Sequence, residues 1–232
     1  MANPYDVVRQ FEAALCEYSG APYCVTTTSC TSALLLACAW HLRNRWVTDD
    51  GRTGTLEIEM PKVEIPRFTY VGVAQAILNA GGRPTFRNDP WSKWYQLKPL
   101  PIWDSARWVA EDMFTLRDSP MGYRELPIGA MVCLSFHHTK HLGISTHGGA
   151  ILHDDPEADA WLRRARFDGR TEGVAPKDDR IQVPGWHCYM TPPTAAEGLL
   201  RLSTLPKYNE PLPWGPGTDS DYGDLSQMEA FK

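Results

Sequence analysis

Two things are scarce in this chain: paired cysteines and long apolar runs. Six cysteines occur (Cys16, Cys24, Cys30, Cys38, Cys133, Cys188), yet no two form a C-x-x-C pair. That argues against a zinc ribbon or a dithiol redox motif, and predicts reduced, mostly buried thiols. No apolar segment reaches the length needed to cross a bilayer, and the opening MANPYDVVRQFEAAL has no signal-peptide core. The chain is therefore expected in the cytoplasm, away from membranes. Excess positive charge is also missing: 23 Lys and Arg face 28 Asp and Glu, for a net charge of −5. No global field advertises nucleic-acid binding. The local cluster Arg163, Arg164, Arg166 and Arg170 is read as the solvated face of a helix.

What the chain has is 232 residues, 43% of them hydrophobic, enough for one sizeable core. Apolar positions at helical spacing (Val7, Val8, Phe11, Leu15) predict a helix over Pro4 to Tyr18, stopped by Gly20. Further helices are expected at ALLLACAWHL, from Thr69 through VGVAQAILNAGG, from Asp155-Pro156 to Arg166, and from Pro193 to Leu205. Short strands are expected at Tyr23 to Thr27, ending at Ile65-Pro66, at Pro84 to Arg87, at Leu100 to Trp103, at Ala130 to Phe136 and at Gly149 to Leu152. Loops are read around Asp49, Asp50, Gly51 and Gly54 and over Gly173 to Gln182. Such alternation predicts an α/β fold with a mainly parallel sheet covered by helices on both faces. From Pro206 the composition turns to Pro, Gly and Asp. We therefore expect an α/β domain over 1–205 and an irregular tail over 206–232.

Ligands in such sheets bind beyond the carboxyl ends of strands. Three features fall just after strands. Lys140 lies between two apolar strands, where partial exclusion of water favours a nucleophilic amine. The run TTTSCTS puts six hydroxyl residues among seven where a helix begins. Ordinary capping accounts for one; the helix amides and remaining hydroxyls suit a phosphate. Asp104 ends an apolar strand, where a carboxylate needs a cation. That cation is either Arg107 or the protonated nitrogen of a cofactor ring. Tyr70 is read either as a ring stacked on that cofactor or as a structural tyrosine. Together these are what pyridoxal phosphate requires. His137, His138, His141 and His147 surround Lys140 but lack the i, i+4 spacing of a metal site, so no metal is expected. Nine tryptophans, including Trp91, Trp94, Trp103 and Trp108, are read as core packing.

The ordered segments GAPYCVTTTSCTSALLLA, IPRFTYVGVAQAI, IWDSARWVAEDMF and LSFHHTKHLGISTHGGAIL resemble the nucleotide-sugar aminotransferases of the DegT/DnrJ type. The pattern Ser-Phe-His-x-x-Lys before a Gly-Gly strand is the most specific of them. The resemblance spans about Val8 to Leu205 and implies the large domain of fold type I pyridoxal-phosphate enzymes. By position, Lys140 matches the lysine that bonds to the cofactor, Asp104 the partner of the ring nitrogen, and Tyr70 the stacked aromatic. Cys30 and Thr31 fall on the Gly-Thr pair that holds the phosphate, with Cys30 in place of glycine. Ser135 matches a serine near the phosphate. Lys140 stands where sugar dehydratases of the family carry histidine.

Departures from the family pattern also matter. Arg107 replaces a His or Gln beside the cofactor's phenol oxygen. In PGWHCYM, His187 replaces an Asn that reaches the phosphate of a neighbouring subunit, and Tyr189 replaces an Arg. The chain is expected to be a shortened member without the C-terminal small domain. The resemblance implies a homodimeric aminotransferase with a shared site, acting on a small or nucleotide-linked amino or keto substrate. Two other readings stay open from the sequence. One is a decarboxylase or lyase on a bulky amine, such as a modified nucleotide or phage DNA base, the only route by which nucleic acid enters. The other is a non-catalytic protein that binds the cofactor.

Overall fold

A computed structural model describes residues 3–43, 60–115, 126–213 and 221–232. The predicted loop around Asp49, Asp50, Gly51 and Gly54 lies outside them. Helix α1 (Asp6–Ser19) presents Val8, Phe11 and Leu15 to the core, and Gly20 ends it in the left-handed conformation. Strand β1 (Tyr23–Thr27) leads into α2 (Cys30–Leu42), apolar on every side and almost wholly buried. Strand β2 (Lys62–Pro66), helix α3 (Val71–Asn79) and strand β3 (Arg83–Arg87) form a parallel βαβ unit. Strands β4 (Tyr95–Gln96), β5 (Ile102–Ser105), β6 (Met131–Ser135) and β7 (Gly149–His153) follow. Helix α4 (Pro156–Ala165) starts on the Asp155 side chain, which accepts the N–H groups of Glu157 and Ala158. Helix α5 (Pro192–Leu202) packs on α1, where Gly198 leaves room for the Phe11 ring.

The larger sheet runs in the order β1-β7-β6-β5-β4. Only β5 and β6 pair parallel in it; the β1/β7, β7/β6 and β4/β5 pairings are antiparallel. The expected mainly parallel sheet is thus corrected to a mixed one. Parallel neighbours need a crossover between them, whereas the 136–148 connection from β6 to β7 holds no helix and simply turns back. Helices on both faces are found as expected. Met131, Cys133 and Ile151 pack with α2, α3 and α4, while Val132, Leu134, Ala150 and Leu152 pack with α1 and α5. Side chains one residue apart point to opposite faces, so each strand serves both cores.

Two members of the arginine cluster, Arg163 and Arg166, are turned inward and not to solvent. Arg166 is only 2% exposed and, with Arg163, grips the buried carboxylate of Glu12 on α1 at 2.5 and 2.6 Å. Thr26 on β1 donates its N–H and hydroxyl to the same carboxylate, at 3.0 and 2.9 Å. Trp91 and Trp94 pack against Tyr95 and Trp108, as expected of core aromatics. All six cysteines are free thiols. Among the described residues, no helix is long and apolar enough to cross a membrane.

The described parts of the segment after Leu205 make contacts with the rest of the chain. Asn209 donates to the Val109 carbonyl at 2.8 Å, and Trp108 donates its indole N–H to the Asn209 carbonyl at 2.9 Å. Further on, Leu225 is buried in the core of the α2 face, within a 3-10 turn (Leu225–Gln227).

Candidate active site

Strands β1, β5 and β6 end at the same rim, and antiparallel β7 begins there. Gly149 pairs with both Thr27 and Ser135. A side chain on Gly149 would come within 2.4 Å of the Ser29 carbonyl carbon and 2.5 Å of the Cys30 nitrogen. Glycine at this point is what lets the first turn of α2 sit directly over the strand ends. The hydroxyl cluster divides accordingly. Thr26 and Thr27 are buried, Ser29 caps α2 by accepting the Ser32 N–H at 3.1 Å, and Ser29, Cys30 and Thr31 line a cavity.

That cavity has a volume of about 560 Å³, and Lys140, Asp104, Tyr70, Cys30, Thr31 and Ser135 all contribute to its wall. Six of the eight candidate residues therefore meet in one place. Lys140 is half-buried in the β6–β7 loop. Its N–H donates to the His137 carbonyl at 2.8 Å, and Ile144 donates back to Phe136 at 2.9 Å. Gly143, at φ +48°, lets the loop double over: a Cβ there would lie 3.0 Å from the carbonyls of His138 and Lys140. Ser145 fastens the loop to α5 through two hydrogen bonds to Glu197, at 2.9 and 2.5 Å.

Asp104 is 4% exposed. It accepts the Ala106 N–H at 2.9 Å and the Tyr95 hydroxyl at 2.8 Å. Burial raises its carboxyl above the ordinary aspartate value, although those two hydrogen bonds, Lys140 and Arg107 all pull the other way. Tyr95 is fully enclosed, and burial, then Asp104, push its phenol well up, so it stays a donor. Thr69, 2.7 Å from the Tyr95 oxygen, supplies the next hydroxyl in the relay. Burial, then Asp104, likewise push the Cys30 thiol well up, which leaves it protonated and a poor nucleophile. Tyr70 is 55% exposed, with its ring edge over Gly72, where a Cβ would meet it at 2.6 Å.

Arg107 and His187 do not line the cavity. Arg107 is fully buried, donates to the Leu212 carbonyl and lies 5.1 Å from the Trp91 ring. His187 is exposed and bonded to Asp168 at 2.7 Å. Sequence reasoning missed Tyr95, hidden in a tryptophan-rich stretch and a two-residue strand, although its register opposite Asp104 makes it that residue's partner. It also missed Tyr222, which lines the cavity from the C-terminal segment.

The donors present suit pyridoxal phosphate. A buried carboxylate short of positive charge matches a protonated ring nitrogen, the first turn of α2 matches a phosphate, and an amine stands at the same cavity. Comparison with solved structures shows the fold. CalS13, a sugar aminotransferase from Micromonospora echinospora, matches with a TM-score of 0.63 at 18% identity, over 86% of this chain and 60% of that one. PseC from Helicobacter pylori, an aminotransferase of pseudoaminic acid biosynthesis, matches at 0.60 and 19% identity over 86% and 58%. NtdA from Bacillus subtilis, with bound cofactor PMP, matches at 0.60 and 19% over 88% and 49%. The chain thus spans at most three fifths of these proteins' lengths. The sequence profile of one family matches residues 1–102 and 121–211, most of the chain. This protein belongs to the DegT/DnrJ/EryC1/StrS aminotransferase family.

Proposed function

We propose that the protein is a pyridoxal-phosphate-dependent aminotransferase with Lys140 as its reactive amine. The observation that carries this reading is the convergence of Lys140, buried Asp104 and the first turn of α2 on one cavity. Bound there, pyridoxal phosphate supplies an aldehyde for an amine and a protonated ring that takes up electron density. The α2 amides and the Thr31 hydroxyl hold the phosphate, with Ser135 beside them. Asp104, oriented by Tyr95 and Ala106, keeps the proton on the ring nitrogen. Tyr70 covers one face of the ring and excludes water from it. Lys140 Nζ takes a proton from the substrate carbon and returns one, as general base and then acid.

Substrates are amino or keto compounds, with nucleotide-linked sugars the leading class, since the similar structures include a sugar aminotransferase. We assign 1–205 to the cofactor-binding unit and 206–232 to an arm. A homodimer with shared sites fits His187: it is exposed and outside its own chain's cavity, where a neighbour's site could meet it. Mixing Lys140→Ala with His187→Ala chains should then restore activity that neither has alone. Free thiols accord with a cytoplasmic setting.

Borohydride reduction of protein loaded with pyridoxal phosphate, followed by peptide mapping, tests the central assignment. The tag should fall on the fragment containing Lys140; a tag elsewhere, or none, rejects it. A panel of amino donors should release the corresponding oxo acids. Carbon dioxide release without oxo acid would reject transamination.

A further inference from the structure

The cavity has one wall that the family match does not reach. Tyr222 lies beyond residue 211, where the match ends, yet it lines the same cavity as Lys140 and Asp104. Its ring centroid is 6.4 Å from that of Tyr70, the planes inclined at 58°. Tyr70 thus has two neighbours: Gly72 beside its ring edge, and Tyr222 in a tilted ring contact.

Tyr222 is placed by a firm anchor three residues on. Leu225 is buried, and its N–H donates to the Arg67 carbonyl at 2.9 Å. Asp224 pairs with the Arg67 side chain at 3.4 Å and caps the short turn by accepting the Ser226 N–H at 3.0 Å. Phe231 packs on Phe86 of β3 with centroids 5.9 Å apart. Arg67 and Tyr70 belong to one connection, between β2 and α3. The anchor of the C-terminal segment and the ring it braces therefore share a rigid base.

Arg107 ties the other end of the arm to the Asp104 turn. It donates to the Leu212 carbonyl and accepts the Leu212 N–H at 3.1 Å through its own carbonyl. A residue expected beside the cofactor thus also holds the arm.

We infer that Tyr222 is a positioning residue of the cofactor site: it braces the Tyr70 ring against the bound cofactor. The inference rests on the proposed cofactor reading. Aromatic pairs of this geometry contribute enough that losing one should weaken cofactor binding by about five- to tenfold. Because Tyr222 acts through Tyr70, its effect should vanish when Tyr70 is already gone.

Pyridoxal phosphate itself is the probe, titrated by visible absorbance into wild type, Tyr222→Ala, Tyr222→Phe, Tyr70→Ala and the Tyr70→Ala/Tyr222→Ala double variant. Tyr222→Ala should bind about five- to tenfold more weakly with an unchanged melting temperature before cofactor is added. Tyr222→Phe, which keeps the ring, should bind within about twofold of wild type. The double variant should match Tyr70→Ala alone. Wild-type affinity in Tyr222→Ala, or losses that multiply in the double variant, would overturn the inference while leaving the cofactor reading intact. If Tyr222→Ala melts early, Tyr222→Phe decides: weak binding by a protein that melts normally also overturns the inference. Wild-type protein that takes up no pyridoxal phosphate would remove both.

Discussion

Two buried carboxylates, Glu12 at the outer edge of β1 and Asp104 in β5, are treated differently by the chain. Glu12 is surrounded by donors: Arg163, Arg166, and the N–H and hydroxyl of Thr26. Burial acts to raise its carboxyl, but Arg166 and Arg163 outweigh burial and hold it below the ordinary value. Asp104 has one phenol and one amide, and burial wins. Both groups are about equally hidden, so depth does not separate them. The supply of positive charge does. A network closed on itself ties α1, β1 and α4 together. A carboxylate left short of positive charge at a cavity wall is suited to receive a cationic ligand.

The sharpest way to break that contrast is Glu12→Gln. It leaves Arg166 buried with Glu172 as its remaining carboxylate, at 2.9 Å. Removing one member of a buried ion network costs about 3–5 kcal/mol, so the urea midpoint should fall strongly. Cofactor uptake by the fraction still folded should be unchanged. The pH dependence carries a sign. A carboxyl lowered in the folded state contributes stability above its unfolded value, and loses it as pH falls through the lower folded value. Wild type should therefore lose stability faster than Glu12→Gln across that acidic window, and parallel curves would show that Glu12 is not held low.

Asp104→Asn should behave in the opposite way. Turnover should drop by at least about a hundredfold, because a neutral amide no longer holds the proton on the ring nitrogen. Stability without cofactor should not fall. A carboxyl raised in the folded state penalises folding as pH climbs through the unfolded and then the folded value, and asparagine removes that penalty. Melting curves across the mildly acidic range check this. A less stable Asp104→Asn at neutral pH would place Asp104 with Glu12 as a structural group.

How much of this was legible beforehand follows from the range of each interaction. Strand β1 lies where its apolar run predicts, at Tyr23–Thr27, because that pattern is local. Helix α2 begins three residues before the expected Ala33, since Ser29 caps it and Cys30 to Ser32 join its first turn. Strand direction departs from expectation: the alternation of strands and helices predicts parallel neighbours, whereas the helix-free loop from β6 to β7 leaves room only for an antiparallel return. The candidate residues that line the cavity were legible because they sit in ordered motifs just after strands. Nothing local marks Arg166 as buried, because its partner, Glu12, is 154 residues away. Tyr222 is illegible for a related reason: a Pro-, Gly- and Asp-rich stretch carries no periodicity, and contacts made through Asp224, Leu225 and Phe231 bring it back to the sheet.

Gly149 tests whether the two regions share a foundation. It pairs with β1, which carries Thr26 of the Glu12 network, and with β6, which leads to Lys140. Gly149→Ala would drive a methyl group into the backbone of Ser29 and Cys30, where no side chain can rotate away. Overpacking of this kind costs about 1–3 kcal/mol. The first turn of α2 should shift, so cofactor affinity should fall together with stability. Loss of stability alone would mean that the phosphate is not held at this turn.

The smallest change is Tyr95→Phe. Phenylalanine keeps the ring that packs edge-on against Trp91 at 4.8 Å but removes the hydroxyl between Thr69 and Asp104. One hydrogen bond to a buried carboxyl contributes about 1–2 kcal/mol, most of which is recovered if the carboxyl takes up a proton. With that donor gone, Asp104 should rise further. Without cofactor the protein should lose little stability at low pH and more as pH climbs, since the ionised form then lacks its phenol. Turnover should fall by about tenfold and its acid limb should move to higher pH, because the carboxylate needed beside the ring nitrogen forms later. An unmoved acid limb in Tyr95→Phe would separate Asp104 from the group that limits turnover. A shifted limb that disappears in Asp104→Asn would tie the phenol to the carboxylate.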